Sequence, residues 1–399
     1  MQTSLPDSFL QTAEGHQADK ILRKCVHCGL CNATCPTYQL TGNELDGPRG
    51  RIYLIKNYLE GKTDGNIGLR HLDRCLTCLS CETTCPSNVR FGTLLDTGRK
   101  HMNEAVKRSL ISTIKRYLII RIFSKPYRVR MILWLGRLAK PFLPKKLASK
   151  MPVQATGAPK AAKANPDLPK MLTIRGCVQS VVAPQINNAA VKVLERSGFC
   201  LEEAKGDCCG ALAYHLGDLK KAEKTISQNI DSWYQSLKGK YEFLVVSSSG
   251  CSSFIKQYGE IMQANSNYTG RAEFISERCR DLSELDIRLE THSAGENCTV
   301  AFHNPCTLQH GQKVYGKIEA QLQKLGYKLV PTMDPHLCCG SAGSYSLLET
   351  ELSSKLLENK LACLEHAQPD VISTANIGCL MHLQSGTERP VKHWIELLV

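Results

Sequence analysis

The 399-residue chain has no long apolar run. Its most apolar stretches, residues 117–123 and 131–136, are short and flanked by arginines, far below the roughly 18 residues that span a bilayer. The opening MQTSLPDSFLQTAEGHQADK has no basic-then-apolar run and no small-residue cleavage site, so a reducing, cytoplasmic compartment is expected. There is no G-x-G-x-x-G after a strand pattern, no Walker loop and no Ser/His/Asp signature. Neither FAD nor NAD is therefore expected on this chain, although such groups usually take two electrons from an organic molecule. Acidic residues nearly vanish from one stretch. Between Arg99 and Lys150 stand 15 Lys/Arg against the single acid Glu104, which accounts for essentially all of the formal charge of +13.

What the chain has in plenty is cysteine, 20 residues. Eight of them form two runs of one spacing, Cys25-x2-Cys28-x2-Cys31-x3-Cys35-Pro36 and Cys75-x2-Cys78-x2-Cys81-x3-Cys85-Pro86. This is the two-cluster ferredoxin spacing, in which the last cysteine of each run serves the other run's cluster. A cubane offers four iron corners. Three cysteines at intervals of three reach three of them, and the fourth must come from elsewhere. The expected ligand sets are Cys25, Cys28, Cys31 and Cys85 for one [4Fe–4S] cluster, and Cys75, Cys78, Cys81 and Cys35 for the other. The prolines that follow cannot donate an amide and turn the chain away. Structural zinc, the competing assignment, usually takes two CxxC pairs at longer separation.

The expected organisation is α/β and multidomain. An all-helical two-cluster ferredoxin domain at residues 1–101 is followed by two tandem α/β cysteine-rich repeats. The 36–74 insert between the runs carries Ile52, Leu54, Ile55, Tyr58 and Leu59 at helical spacing, which predicts a core-facing helix rather than hairpins. Residues 102–150 read as basic amphipathic helices broken near Pro126 and Pro141. Their apolar-plus-basic character points to an anionic membrane surface. An acidic partner subunit or a plain solvated face are the alternatives. Nucleic acid is not an expected partner, since no helix-turn-helix, zinc finger or base-stacking motif accompanies the charge. Residues 151–170, rich in Pro, Ala and Lys, read as a linker.

Beyond the linker the chain repeats itself. Cys177, Cys208-Cys209-Gly210 and Cys251 recur as Cys306, Cys338-Cys339-Gly340 and Cys379, at separations of 128 to 130 residues. The repeats are assigned to 171–295 and 296–399. Strand patterns at 170–175 and 299–303 run toward the lone cysteines. Those at 243–246 and 370–373 lead to Gly250-Cys251 and Gly378-Cys379, and helical patterns at 186–197 and 314–325 fill the gaps. Strand–helix alternation implies parallel sheets, whose ligands gather at the carboxyl ends of strands. These eight cysteines are open to three assignments: a further iron–sulfur cluster, redox-active vicinal thiols, or buried structural residues. Cys200, Cys279, Cys298 and Cys363 have no repeat partner and read as core thiols. His303, His310, His336 and His382 stand near the cysteines of the second repeat only, as candidate ligands or as ordinary hydrogen-bonded histidines.

The segments CVHCGLCNATCPTY, GNELDGPRGRIYLIKNYLEG and HLDRCLTCLSCETTCPSNV resemble the iron–sulfur subunits of bacterial glycolate dehydrogenase, also called glycolate oxidase. So do the first CCGA, the Asn229 to Trp233 pattern, CTLQH, HLCCGSAG, TANIGC and the closing VKHWIEL. The resemblance implies a membrane-associated complex in which FAD-containing dehydrogenase subunits oxidise glycolate to glyoxylate. This chain would carry the electrons toward the quinone pool from the inner face of the membrane, without binding the substrate. Equivalent subunits of glycerol-3-phosphate or lactate dehydrogenase complexes, or a CCG-type disulfide reductase, are the alternatives. Two departures stand out. Relatives often close each CCG unit with CxxC, whereas Cys251 is followed by Ser252, Ser253 and Phe254, and Cys379 by Leu380, Met381 and His382. Asn304 also stands where relatives can carry a further cysteine.

Overall fold

The computed structural model describes residues 1–139, 168–206, 208–289, 295 and 297–399. The expected linker, apart from its last three residues, and the expected break near Pro141 lie outside the described residues. Up to Ala139 every regular element is a helix, as the wide spacing of the cysteine runs implies. Helix Ala13–Lys24 starts where the Thr12 side chain accepts from the Gly15 amide, and it buries Ala18, Ile21 and Leu22. Pro48 opens helix Pro48–Leu59, a position where its missing N–H costs nothing. Of the expected stripe, Ile52, Ile55 and Leu59 are buried, and Leu54 and Tyr58 are half-buried. Helix Phe91–Ala105 crosses this helix at Gly98, where a Cβ would lie 2.7 Å from Ile55 Cγ1. That helix runs to Ala105, so the expected boundary at 101 falls inside it.

Two small sheets follow, both wholly parallel and built to one plan. Strands β1 (Lys170–Thr173), β2 (Cys200–Glu203), β3 (Leu244–Val246) and β4 (Cys279–Asp281) lie in the order β2-β1-β3-β4. Strands β5 (Thr299–His303), β6 (Lys328–Leu329), β7 (Val371–Thr374) and β8 (Val391–His393) lie in the order β6-β5-β7-β8. Strand β5 coincides with its sequence pattern, β1 and β3 are shorter than theirs, and β7 is offset by one residue. The helix expected at 314–325 begins only at Lys317, behind Gly316 in the left-handed region. The kinship of the halves reaches their ends. Asp281 and Glu284 form a capping box after β4, and His393 and Glu396 form one after β8. Cys200 and Cys279 are fully buried, as expected of core thiols, whereas Cys298 and Cys363 are only half-buried.

The halves share one core. Met171, Ile186 and Val193 of the first pack in the same cluster as Val300, Phe302, Leu322 and Trp394 of the second. At the carboxyl ends of the strands, Ser249 Oγ meets Thr307 Oγ1 at 2.8 Å and Asn376 Nδ2 donates to Ser249 Oγ at 3.1 Å. The helical head contacts both halves. Arg90 pairs with Glu260 at 2.7 Å, the Tyr214 hydroxyl donates to Asp96 at 3.2 Å, and Thr83 Oγ1 and His310 Nδ1 are 2.9 Å apart. Helices Leu110–Phe123 and Pro126–Ala139 lean on the first half through Ile120 and Val129. Their other faces expose Leu110, Ile114, Tyr117, Met131 and Trp134. Among the described residues no helix is long and apolar enough to cross a membrane.

The contact between Asp96 and Tyr214 carries a pH dependence. Burial pushes Asp96 up to about 6, against the nearby positive charge of Arg99 and the Tyr214 hydrogen bond. Between the ordinary carboxylate range and about 6, the folded chain holds a proton that the unfolded chain has lost. Stability therefore declines as pH rises through that window and levels off above it. Thermal unfolding from pH 4.5 to 7.5 should show this decline, and Asp96→Asn should make it shallower; an unchanged slope in the variant would place the titration in the other buried carboxyls, such as Glu82 and Asp281, which burial also raises.

Candidate metal centres

Each cysteine run winds around itself by the same backbone device. In the first, His27 and Gly29 take left-handed conformations, with φ of 57° and 81°; in the second, Thr77 and Leu79 do so, with φ of 53° and 62°. Leu79 holds without glycine a conformation that disfavours a side chain, a cost of the kind stored at functional sites. Alternating handedness turns successive amides inward, as in anion-binding nests. The Thr77 amide already donates to Cys75 Sγ at 3.5 Å.

The runs cross over. Cys25, Cys28, Cys31 and Cys85 line one cavity of about 440 Å3, counted to its open mouth, walled by Pro48, Ile52 and Phe91. Cys35, Cys75, Cys78 and Cys81 line a second of about 320 Å3, with Arg51 and Thr37 at its side. Cys81 borders both. The fourth cysteine of each run thus meets the first three of the other. Among the described residues no two cysteines are joined in a disulfide.

The electrostatics suit a cationic guest. Burial, then the charge of Cys25, pushes the Cys31 thiol up to about 11. Burial and neighbouring sulfurs drive Cys78 and Cys81 far above the ordinary thiol range. Bare thiolates are strongly disfavoured in this volume; thiolates neutralised by iron are not. Their donor type and number match two [4Fe–4S] clusters.

Behind the second cavity lies a polar network that the cysteine spacing does not announce. Arg51, 1% exposed, reaches to 3.9 Å from Cys35 Sγ and donates to Thr37 Oγ1 and the His71 carbonyl. The fully buried Asp46 receives His71 Nδ1 at 2.7 Å and Arg74 at 3.0 Å. A buried cation and its hydrogen bonds beside cluster sulfurs favour the reduced, more negative cluster state. The only sequence signal is that Asp46 and Arg51 fall within the DGPRGR segment. The first cavity is different. Cys28 is exposed, Val26 and Leu30 stand open at its loop, and Arg49 is paired with Glu44.

The repeated cysteines converge at the carboxyl ends of the central strands in each half. In both, the two members of the vicinal pair meet different partners, and in the second half Cys338 and Cys339 also meet each other. One member faces the cysteine after the first strand, as Cys208 faces Cys177 and Cys338 faces Cys306; the other faces the cysteine on the helix, as Cys209 faces Cys251 and Cys339 faces Cys379. The Cys306 and Cys338 sulfurs are 3.8 Å apart. Gly210 and Gly340 end each vicinal pair at φ of 94° and 88°, a conformation glycine adopts without strain. Separate clamps hold the loops. In the first half Asn229 donates to the Cys208 carbonyl, the Tyr258 hydroxyl to the Cys209 carbonyl, and Trp233 Nε1 to the Lys205 carbonyl, which explains the Asn229 to Trp233 pattern. In the second, Ser353 Oγ donates to the Gly340 carbonyl and the buried Lys360 to the Asp334 carbonyl.

The two systems touch. Cys78 packs in one cluster with Cys306, Cys338, Leu76 and Tyr345. The second cavity of the head therefore adjoins the cysteines of the second half, not those of the first. The four histidines separate as well. His310 is held by Thr83 and the His336 carbonyl, and His382 Nε2 lies 3.1 Å from Ser353 Oγ. His303, at the end of β5, is 1% exposed and lies with Cys339 and Cys379.

These features agree with what the chain is similar to. A 4Fe-4S dicluster domain matches residues 21–89, and a cysteine-rich domain matches twice, at 171–256 and 300–384. The glycolate oxidase iron–sulfur subunit of Escherichia coli (strain K12) is 43% identical over 404 aligned residues, covering all of this chain and 98% of that protein. A probable glycolate oxidase iron–sulfur subunit of Bacillus subtilis (strain 168) is 27% identical, over 92% of this chain and 89% of that protein. A lactate utilization protein A of Anoxybacillus flavithermus is 25% identical and aligns with 54% of this chain. With an iron–sulfur head, two cysteine-rich α/β halves and likeness along its whole length, the chain belongs to the family of glycolate oxidase iron–sulfur subunits.

Proposed function

We propose that this chain is the electron-carrying subunit of a glycolate-oxidising complex, taking electrons from FAD-containing partner subunits and delivering them toward the quinone pool. The full-length likeness to the Escherichia coli subunit carries the choice of glycolate. Bound clusters supply one-electron storage; the chain supplies their placement. Cys25, Cys28, Cys31 and Cys85 hold one, and Cys35, Cys75, Cys78 and Cys81 the other, each set lining its own cavity. The exposed Cys28, beside Val26 and Leu30, offers a face to the flavoprotein. At the other cavity the contact of Cys78 with Cys306 and Cys338 leads inward. Substrate chemistry stays on the partners. A lactate-oxidising complex is the second reading, favoured only by the half-length likeness to lactate utilization protein A.

The protein sits on the inner face of the membrane through helices Leu110–Phe123 and Pro126–Ala139. Their exposed apolar side chains are interleaved with arginines, the composition that anionic lipid attracts.

Three measurements test this. The tagged chain should co-purify with flavoprotein subunits that reduce a dye with glycolate; activity only with lactate or glycerol 3-phosphate would overturn the substrate. Cys85→Ser should perturb the cluster signal of the first run's cavity and Cys35→Ser that of the second, each leaving the other cluster's EPR signal in place. Loss of the opposite signals would mean that the runs do not exchange ligands. Reversing Arg128, Arg130 and Arg137 to Glu removes three positive charges and adds three negative ones, and each basic residue lost is worth about 1 kcal/mol near an anionic surface. Binding to phosphatidylserine vesicles should then fall by a hundredfold or more, while unchanged binding would assign these helices to a protein partner.

A further inference from the structure

The two cysteine-rich halves carry the same four thiols but not the same fifth group. His303 ends β5, three residues before Cys306; three residues before Cys177 stands Ile174. Ile174 is an ordinary buried core residue. His303 is not ordinary. It is 1% exposed, and neither Nδ1 nor Nε2 has a hydrogen-bond partner. A buried imidazole without partners forgoes hydrogen bonds it would make in water, which is costly. Nearly all buried polar groups in proteins avoid that cost.

Its surroundings show what would repay it. A ring nitrogen of His303 and the sulfurs of Cys339 and Cys379 all lie within 4.8 Å of one another, and all three residues are buried. A tetrahedral first-row ion with bonds of about 2.0–2.1 Å to nitrogen and 2.3 Å to sulfur needs donors roughly 3.5–4 Å apart, within small side-chain adjustments of this arrangement. Cys338 and Cys306 continue the line of thiols. Unpartnered polar atoms gather here too. Asn304 Oδ1, Ser373 Oγ and Thr374 Oγ1 are buried without hydrogen bonds, and Thr374 is the register partner of His303 across β5 and β7. This is the carboxyl end of the two central strands, on either side of which the sheet order reverses, where open α/β sheets bind ligands.

We propose that the second half holds a first-row metal through one imidazole nitrogen, from His303, together with the thiolates of Cys339 and Cys379. The first half has thiolates alone, so the two repeats are chemically distinct centres. The shared chemistry is a borderline-soft ion that accepts nitrogen and sulfur, which admits a mononuclear zinc or an iron of a larger centre. His303 takes the place of the thiolate that the missing CxxC would have supplied, and His382, engaged with Ser353, does not. The site exists whatever the flavoprotein partner oxidises.

The test uses the full chain purified anaerobically, with histidine labelled by 15N. Metal and sulfide counts, X-ray absorption at the zinc and iron edges, and pulsed EPR are recorded. The expected result is metal beyond the about eight irons of two cubanes, with an imidazole shell at the edge or a 15N coupling. An imidazole at the zinc edge identifies a mononuclear ion, and a 15N coupling to an iron signal identifies an iron centre. His303→Leu should lose about one metal equivalent or that iron signal, with both cubane signals intact. His303→Cys should retain the metal in a sulfur-only shell. No metal beyond the two cubanes, or a sulfur-only shell in the unsubstituted protein, overturns the proposal. The labelled, unsubstituted chain decides the matter even if His303→Leu fails to fold.

Discussion

Sulfur in this protein must be brought together where the interior disfavours its charge. Thiols packed side by side and cut off from water repel one another once ionised, and here burial and mutual charge raise their pKa values together. Such a set is stable as thiolates only around cationic metal. The fold is arranged to meet that condition locally. Left-handed turns at His27, Gly29, Thr77 and Leu79 wind the head loops, and helices on both sides fix them. In the repeats, parallel strands deliver a cysteine to the same end of each sheet. The remaining polar machinery, from Arg51 behind Cys35 to the side chains that clamp the CCG loops, holds these turns in place or tempers their charge.

Much of this was legible in the amino-acid order because cluster ligation is partly a matter of covalent spacing. Cysteines at intervals of three can meet one guest only if the loop winds, and the crossover of Cys35 and Cys85 is forced when three ligands need a fourth. The tandem α/β halves were legible for a similar reason. A strand–cysteine–helix unit repeated at nearly constant separation leaves little freedom in topology, and matching sheet orders, β2-β1-β3-β4 and β6-β5-β7-β8, follow from it.

What the order of residues hid depends on contacts far apart in the chain. Asp46, Arg51 and His71 read as scattered polar residues on helices and loops, and become a buried network only when helix Pro48–Leu59 packs over the second cavity. The different partners met by the two members of each vicinal pair were hidden too. The choice between one shared guest and two separate contacts is made by which strands and helices lie opposite, a tertiary matter. Helix Phe91–Ala105 runs through the expected boundary at 101 and packs against helix Asn66–Asp73, a contact that spacing alone does not reveal.

The adjacency of the head to one repeat alone gives the molecule a polarity that its internal symmetry conceals. Duplication would make the two cysteine-rich halves equivalent, but among the described residues only the second presents its cysteines to Cys78, and only the second carries an unpartnered imidazole among them. Electron transfer weakens steeply with distance, so equal ligand sets at unequal distances from the head would already differ in use. A difference in ligands adds to this, because replacing a thiolate by a neutral imidazole makes a centre less negative and easier to reduce, as it does where histidine replaces cysteine at iron–sulfur centres. The half whose cysteines meet Cys78 is thus, on the proposed ligation, also the half whose donors favour accepting an electron. On the proposed function and ligation, position and chemistry point the same way, from the exposed cavity at Cys28 through the buried one at Cys78 and into the second repeat.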